Sequence, residues 1–165
     1  MNPPADSGRP QLPERLVVDL GAALQPVIDV GSGGGFPGLV FAIVEPDTAI
    51  TLVEPLRKRA RLLEGMAAEL ELPNVRVVAA RAEEAARGPL RDSAALVTAR
   101  AVAELRELLE YTAPFARPGG WLLLPKGSTA SSELAAATAA LAELQCAHRA
   151  SIPMRPEVSE TLTVL

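Results

Sequence analysis

From Val27 onward the chain alternates short apolar runs with longer stretches of helical spacing. The runs are Val27 to Val30, "AITLVEP" from Ala49, "VRVVAA" from Val75, "AALVTAR" from Ala94 and "WLLLP" from Trp121, each the length of a strand. Between them the pattern predicts a helix after the glycine stretch that follows Val30, and another over "LRKRARLLEGMAAELEL", stopped by Pro73 and Asn74. It then predicts a loop or short helix over "RAEEAARGPLRDS" and a helix over "VAELRELLEYTAPFA". "RPGG", Arg117 to Gly120, reads as a turn, and "KGSTASSELAAATAALAELQ" as one glycine-started helix. The tail from Ala147 has room for two strands, the last being "TLTVL". Ahead of the alternation, "ERLVVDLGAAL" sets Leu16, Leu20 and Leu24 on one face of a short helix that Pro26 stops. The first 13 residues carry four prolines and read as a loose arm.

Strands joined by helices of this length pair in parallel through right-handed crossovers. The expected architecture is a doubly wound, mostly parallel sheet with helices on both faces, in a single domain over residues 14–165. A ligand in such a fold sits outside the carboxyl ends of the strands, near the first. A closing pair of strands after the last crossover suits the class I, Rossmann-like variant found in S-adenosylmethionine-dependent methyltransferases, with one antiparallel strand inserted at the sheet edge.

Composition narrows the chemistry. Of 165 residues 48% are hydrophobic and only 3% aromatic, so the core must be built of Leu, Val and Ala. The lone Cys146 and the single His148 exclude an internal disulfide and fall short of a metal site, which fits a reducing cytoplasm. No stretch reaches the length of a membrane span, and the amino terminus lacks a signal peptide's apolar centre. A net charge of −4 confines any nucleic-acid contact to a local patch, and the densest is "RKRAR", Arg57 to Arg61. Its cations Arg57, Lys58, Arg59 and Arg61 could meet phosphates, or be an ordinary solvated helix face. The expected protein is a monomer.

The most informative stretch is "VIDVGSGGGFPGLVFAI", a strand, a glycine-rich turn and a helix, the arrangement that offers backbone N–H groups to a ligand. Gly31, Gly33 and Gly35 spell the methyltransferase form GxGxG, whereas Gly33, Gly35 and Gly38 spell the dinucleotide form GxGxxG. Read as alternatives, the first is cheaper: it ends the strand at Val30 and leaves Asp29 at its carboxyl edge, able to reach solvent or ligand, with Ser32 in the turn. Glu54, ending the second strand, is placed for ribose hydroxyls in either case. "ARAEE" follows the third strand, where the methyltransferase fold brings Ala82 and Glu83 to an adenine. A nicotinamide enzyme would need a proton donor, and the only histidine lies in the tail, so S-adenosyl-L-methionine is the expected cofactor.

In order and spacing, "DVGSGGGFPGL", "TLVEPLRKRARLL", "ARAEE", "TARAVAEL" and "GGWLLLPKG" resemble the RsmG family, also called glucose-inhibited division protein B. The similarity covers about Leu16 to Gly127. It implies methyl transfer to the guanine-7 position of a nucleotide in 16S ribosomal RNA, with that RNA or the small ribosomal subunit as partner. It further implies that Gly31 and Phe36 line the cofactor, that Gly33 and Gly35 admit its methionine end, and that Glu54, Ala82 and Glu83 take ribose and adenine. Arg100 would stand at the mouth of the methyl-donor pocket, and Lys126 would meet a phosphate or base, unless it is a snorkelling surface lysine. For Phe36 packing in the core or under the cofactor is the plainer expectation, and core packing is the default for Tyr111 and Trp121. The chain departs from the family at both ends, with a shorter helical segment before the glycine loop and Leu162 where a basic residue is usual.

Guanine-7 has a lone pair and no proton to lose, so the transfer needs no general base and alignment can carry it. An arginine beside two cationic centres is unfavourable unless it faces a carboxylate or phosphate, which assigns Arg100 to holding one of these. Two other readings stand beside the enzyme: a non-catalytic S-adenosylmethionine-binding or ribosome-associated module, and an NAD-dependent oxidoreductase using the second glycine register.

Overall fold

The computed structural model describes residues 25–100, 103–155 and 160–164. The expected arm and the Leu16 to Leu24 helix lie outside these residues. Seven strands form one sheet in the order β3-β2-β1-β4-β5-β7-β6. They are β1 (Val27–Val30), β2 (Ile50–Val53), β3 (Val75–Val78), β4 (Ala94–Thr98), β5 (Ala116–Lys126), β6 (Ala150–Arg155) and β7 (Glu160–Val164). The first five pair in parallel, and β7 is inserted antiparallel between β5 and β6. The closing pair expected from the tail is therefore present.

Alternation along the central strands feeds two cores, one per face. Ile28, Val30, Val53, Val97, Leu122 and Leu124 pack with α4 (Leu105–Thr112) on one side. Helix α4 turns Leu105, Leu108 and Leu109 inward, and Phe115 in the 3-10 turn that follows is the only fully buried aromatic among the described residues. Val27, Ile50, Leu52 and Leu96 pack on the other side beneath α1 (Gly38–Val44) and α2 (Arg57–Glu69). Tyr111 and Trp121 are partly buried against these two cores, as their default placement has it. Strand β3 closes one edge and is less buried than β1 or β4.

Two local expectations are corrected. "RPGG" is not a turn before β5 but lies within it. Ala94 pairs with Ala116 and Leu96 with Trp121, so Arg117 to Gly120 bulge out of the ladder. Gly119 has φ 76°, and a Cβ on Gly120 would lie 2.9 Å from the Ala94 carbonyl oxygen, so the glycines serve a close backbone approach. The long helix after β5 is also two helices, α5 (Ala130–Ala136) and α6 (Thr138–Glu143), divided at the fully buried Ala137. The segment after β3 forms only the short α3 (Ala82–Ala85) before turning toward β4.

Candidate functional site

Because β1 to β5 run parallel, the chain after each strand emerges at one end of the sheet. That end gathers the glycine loop after β1, Glu54 after β2, Ala82 and Glu83 after β3, Arg100 after β4 and Lys126 at the end of β5. The structure thus brings together the residues singled out from five separate stretches of sequence.

Gly31, Gly33 and Gly35 all have positive φ, at 71°, 54° and 92°, a conformation that side chains rarely adopt. Gly38 serves a different need. It begins α1 directly over β1, and a Cβ there would come 2.8 Å from Asp29 Oδ2 and press on Leu52. The two glycine registers are therefore not alternatives: the GxGxG glycines supply the turn, and the last glycine of GxGxxG supplies close helix-to-strand packing. The loop is tied down from beneath, with the Gly31 and Ser32 N–H groups donating to the Val53 carbonyl at 2.8 and 3.2 Å.

Two carboxylates lie under this loop. Glu54 is 2% exposed and accepts from the Gly33 N–H at 2.9 Å and the Leu56 N–H at 3.0 Å. Asp29, 1% exposed, accepts from the Gly38 N–H at 3.3 Å through Oδ2, while Oδ1 is buried without a hydrogen-bond partner. Of the two partners expected for Asp29, solvent and ligand, solvent is excluded; the two-residue alternation puts it on the face of Val27, beneath α1, and the helix covers it. Burial pushes its carboxyl up to about 6, against the opposing pull of the Ser32 hydroxyl, the Gly38 N–H and the Arg100 charge. Ser32 is buried too, its hydroxyl donating to the Asp29 carbonyl at 2.9 Å.

Around this buried floor the rim is exposed. Phe36 is 57% exposed, so of its two plainer placements, in the core or under the cofactor, the core is excluded. Arg57, Lys58, Arg59 and Arg61 are exposed on the first turns of α2, while Ala60, Leu63 and Ala67 bury its other face. Glu83 and Arg100 are exposed, and Ala82 is half-buried against the core. Lys126 is not a snorkelling lysine: only 10% of its side chain is exposed, and its ammonium meets Glu133 at 2.6 Å and the Ala103 carbonyl at 2.7 Å.

Sequence reasoning missed two polar residues. Glu133 lies four positions after Thr129, from whose hydroxyl it accepts; nothing nearby in the chain shows that it also reaches Leu105. Asn74, taken as a helix stop, donates to the carbonyls of Ala42 and Thr48 and braces the end of α1 against β3. A cavity of about 530 Å³ opens at the opposite end of the sheet, beside the Arg117 to Gly120 bulge, and holds none of the residues named above as site residues. Among the described residues no helix is long and apolar enough to cross a membrane.

The family profile described as GidB, rRNA small subunit methyltransferase G, matches residues 16–161. The chain is 46% identical over 131 residues to ribosomal RNA small subunit methyltransferase G of Roseiflexus castenholzii, covering 79% of this chain and 56% of that protein. It is 48% identical over 123 residues to the protein of the same name from Sorangium cellulosum, covering 74% and 51%. The chain thus spans about half the length of these curated relatives. Among solved structures, the 16S rRNA methyltransferase KamB superposes with a TM-score of 0.69 at 16% identity, covering 93% of this chain and 92% of that one. The antibiotic-resistance methyltransferase Kmr superposes with a TM-score of 0.66 at 23% identity, covering 92% and 91%. These likenesses show the fold, a Rossmann-like sheet of the class I methyltransferase type.

Proposed function

The chain belongs to the rRNA small subunit methyltransferase G family, and we propose that it transfers a methyl group from S-adenosyl-L-methionine to guanine-7 of a 16S ribosomal RNA nucleotide in the cytoplasm. The observation that carries this reading is a glycine loop of positive φ lying on two buried carboxylates.

The residues present fit such a cofactor. Each Glu54 oxygen accepts one backbone N–H and retains lone-pair capacity for a ribose hydroxyl. Asp29 keeps an unpartnered oxygen beneath the loop, and a cation near it favours its ionised form. Gly34 is exposed, with nothing within 4 Å of where its Cβ would be, so ligand atoms can approach the backbone. Ala82 and Glu83 are proposed to flank the adenine, with Gly31, Ser32, Gly33, Gly35 and Phe36 bordering the rest. When bound, S-adenosylmethionine supplies an electrophilic methyl on a sulfonium.

What the chain itself must do is orient and exclude water. Guanine-7 presents a lone pair without a proton, so no side chain has to act as a base. Arg100 is proposed to hold a carboxylate or phosphate at the mouth of the cleft, since beside a cationic donor and product it needs an anion. The basic turns of α2 extend the same rim and are proposed to meet RNA phosphates.

The test is calorimetric titration with S-adenosylhomocysteine, with NAD as control, followed by methyl transfer to small subunits lacking the modification. Binding of the homocysteine ligand with transfer supports the proposal. Binding without transfer favours a non-catalytic module, and preference for NAD overturns the cofactor. Arg100→Ala leaves stability within about 0.5 kcal/mol, as for exposed residues generally, but lowers turnover at least about tenfold; unchanged turnover removes Arg100 from the mechanism.

A further inference from the structure

Lys126 and Glu133 form a clamp at the entry to α4, on Ala103 and Leu105. Glu133 Oε2 accepts from the Lys126 ammonium at 2.6 Å and from the Leu105 N–H at 2.8 Å, and its Oε1 accepts from the Thr129 hydroxyl at 2.6 Å. The same ammonium donates to the Ala103 carbonyl at 2.7 Å. Leu105 is the first residue of α4, and the preceding Glu104 makes no side-chain cap bond. An N–H orphaned at a helix start is therefore met by a carboxylate from another helix, α5. Side-chain exposures of 10% for Lys126 and 15% for Glu133 place the pair where solvent screening is weak. Burial works to raise the Glu133 carboxyl, and donation from Lys126, Thr129 and Leu105 outweighs it, holding the group below the usual carboxylate range.

From these contacts we infer that Lys126 and Glu133 are positioning residues, which hold Ala103 and Leu105 at the entry to α4 and through that entry bear on where Arg100, the last described residue before it, is set. Arg100 is itself exposed at a strand end, and the polypeptide beyond it is held on both sides of Glu104, at Ala103 by Lys126 and at Leu105 by Glu133. Lys126 then acts through the loop without touching RNA. The inference rests on the proposed methyl transfer for its kinetic readout, and it has a second readout that needs no activity.

The experiment compares Lys126→Met, Glu133→Ala and the double variant in the full chain. Amide hydrogen exchange at Leu105 and its neighbours is read first, then turnover and KM for small subunits. A clamp predicts faster exchange at Leu105 in both single variants and a shared turnover loss of about tenfold that the double variant does not deepen, the non-additivity of residues in one network. A Lys126 that contacts RNA directly gives instead a raised KM in Lys126→Met and normal turnover in Glu133→Ala, and that result overturns the inference. Unchanged exchange at Leu105 in both variants overturns it equally, whether or not the wild type transfers methyl. If either single variant fails to fold, Lys126→Arg, which keeps donors for both partners, must preserve protection at Leu105 and turnover, and loss of either refutes the clamp.

Discussion

The floor of the cleft and its rim are built on opposite terms. On the floor, Asp29 and Glu54 are almost wholly buried and bound by the chain's own N–H groups, and Gly38 admits no larger residue. On the rim, Arg57, Lys58 and Arg59 crowd the first turn of α2, where no acidic residue balances them and the helix dipole is positive, while Phe36 stands in solvent. The floor residues shape the folded chain and are the ones proposed to meet ligand, so their variants bear on both. The rim is unfavourable to the folded chain alone, which argues that its gain comes from an anionic partner. Perturbing each tests whether stability and binding separate as this contrast requires.

The largest effect belongs to Asp29. Its folded carboxyl titrates near 6, above its ordinary 3.8, so folding favours the protonated form. Stability from this group is complete below the unfolded value and is lost as pH rises through about 6. Asp29→Asn lacks that loss. Its stability relative to wild type improves between pH 4 and pH 7 by at most about 3 kcal/mol, measured by denaturant unfolding at each pH. Parallel curves would mean that Asp29 is solvated. Gly38→Ala follows: its methyl meets Asp29 and Leu52, and overpacking costs about 1–3 kcal/mol, whereas Gly34→Ala, in open space, stays near neutral. Glu54→Ala comes next, at about 1 kcal/mol, because the part-buried N–H groups of Gly33 and Leu56 can turn to water. Homocysteine affinity falls in that variant; retention would release Glu54 from the cofactor site.

Much of this was legible from local pattern. Nearly apolar runs, each with a single polar residue, marked β1, β2 and β4, and the inward leucines marked α4, because burial on both faces leaves that signature in sequence. Glycine was less legible. Pro118, Gly119 and Gly120 carry the chemistry of a turn, but the parallel partner β4 converts them into a bulge, a fact set by pairing across the sheet. In the glycine loop the two registers look like rivals in sequence, although turn conformation and helix packing are separate demands that one stretch can satisfy. Asp29 was judged from its place at a strand end, while the covering helix decided its burial. The Lys126 clamp was invisible since its contacts at Ala103 and Leu105 lie more than twenty positions upstream.

The smallest effect is the one that separates rim from floor. Arg57 opens α2 and Lys58 follows it, each placed against the positive end of the helix dipole and each exposed. Replacing both by Gln should leave the fold unchanged or firmer by a few tenths of a kcal/mol, about 0.3 for each cation removed from a helix start at low salt. RNA binding should move the other way. Each lost phosphate contact lowers the slope of log affinity against log salt by about 0.7 for single-stranded RNA, so the double variant loses about 1.4 if both residues touch phosphate. Filter binding to small-subunit RNA across a salt series, with thermal unfolding of the same samples, reads both quantities. A slope equal to wild type would make "RKRAR" a solvated face, and the rim would then lose its claim to an anionic partner. A reduced slope with an unmoved or higher melting temperature places the binding energy where the folded chain alone gains nothing from it.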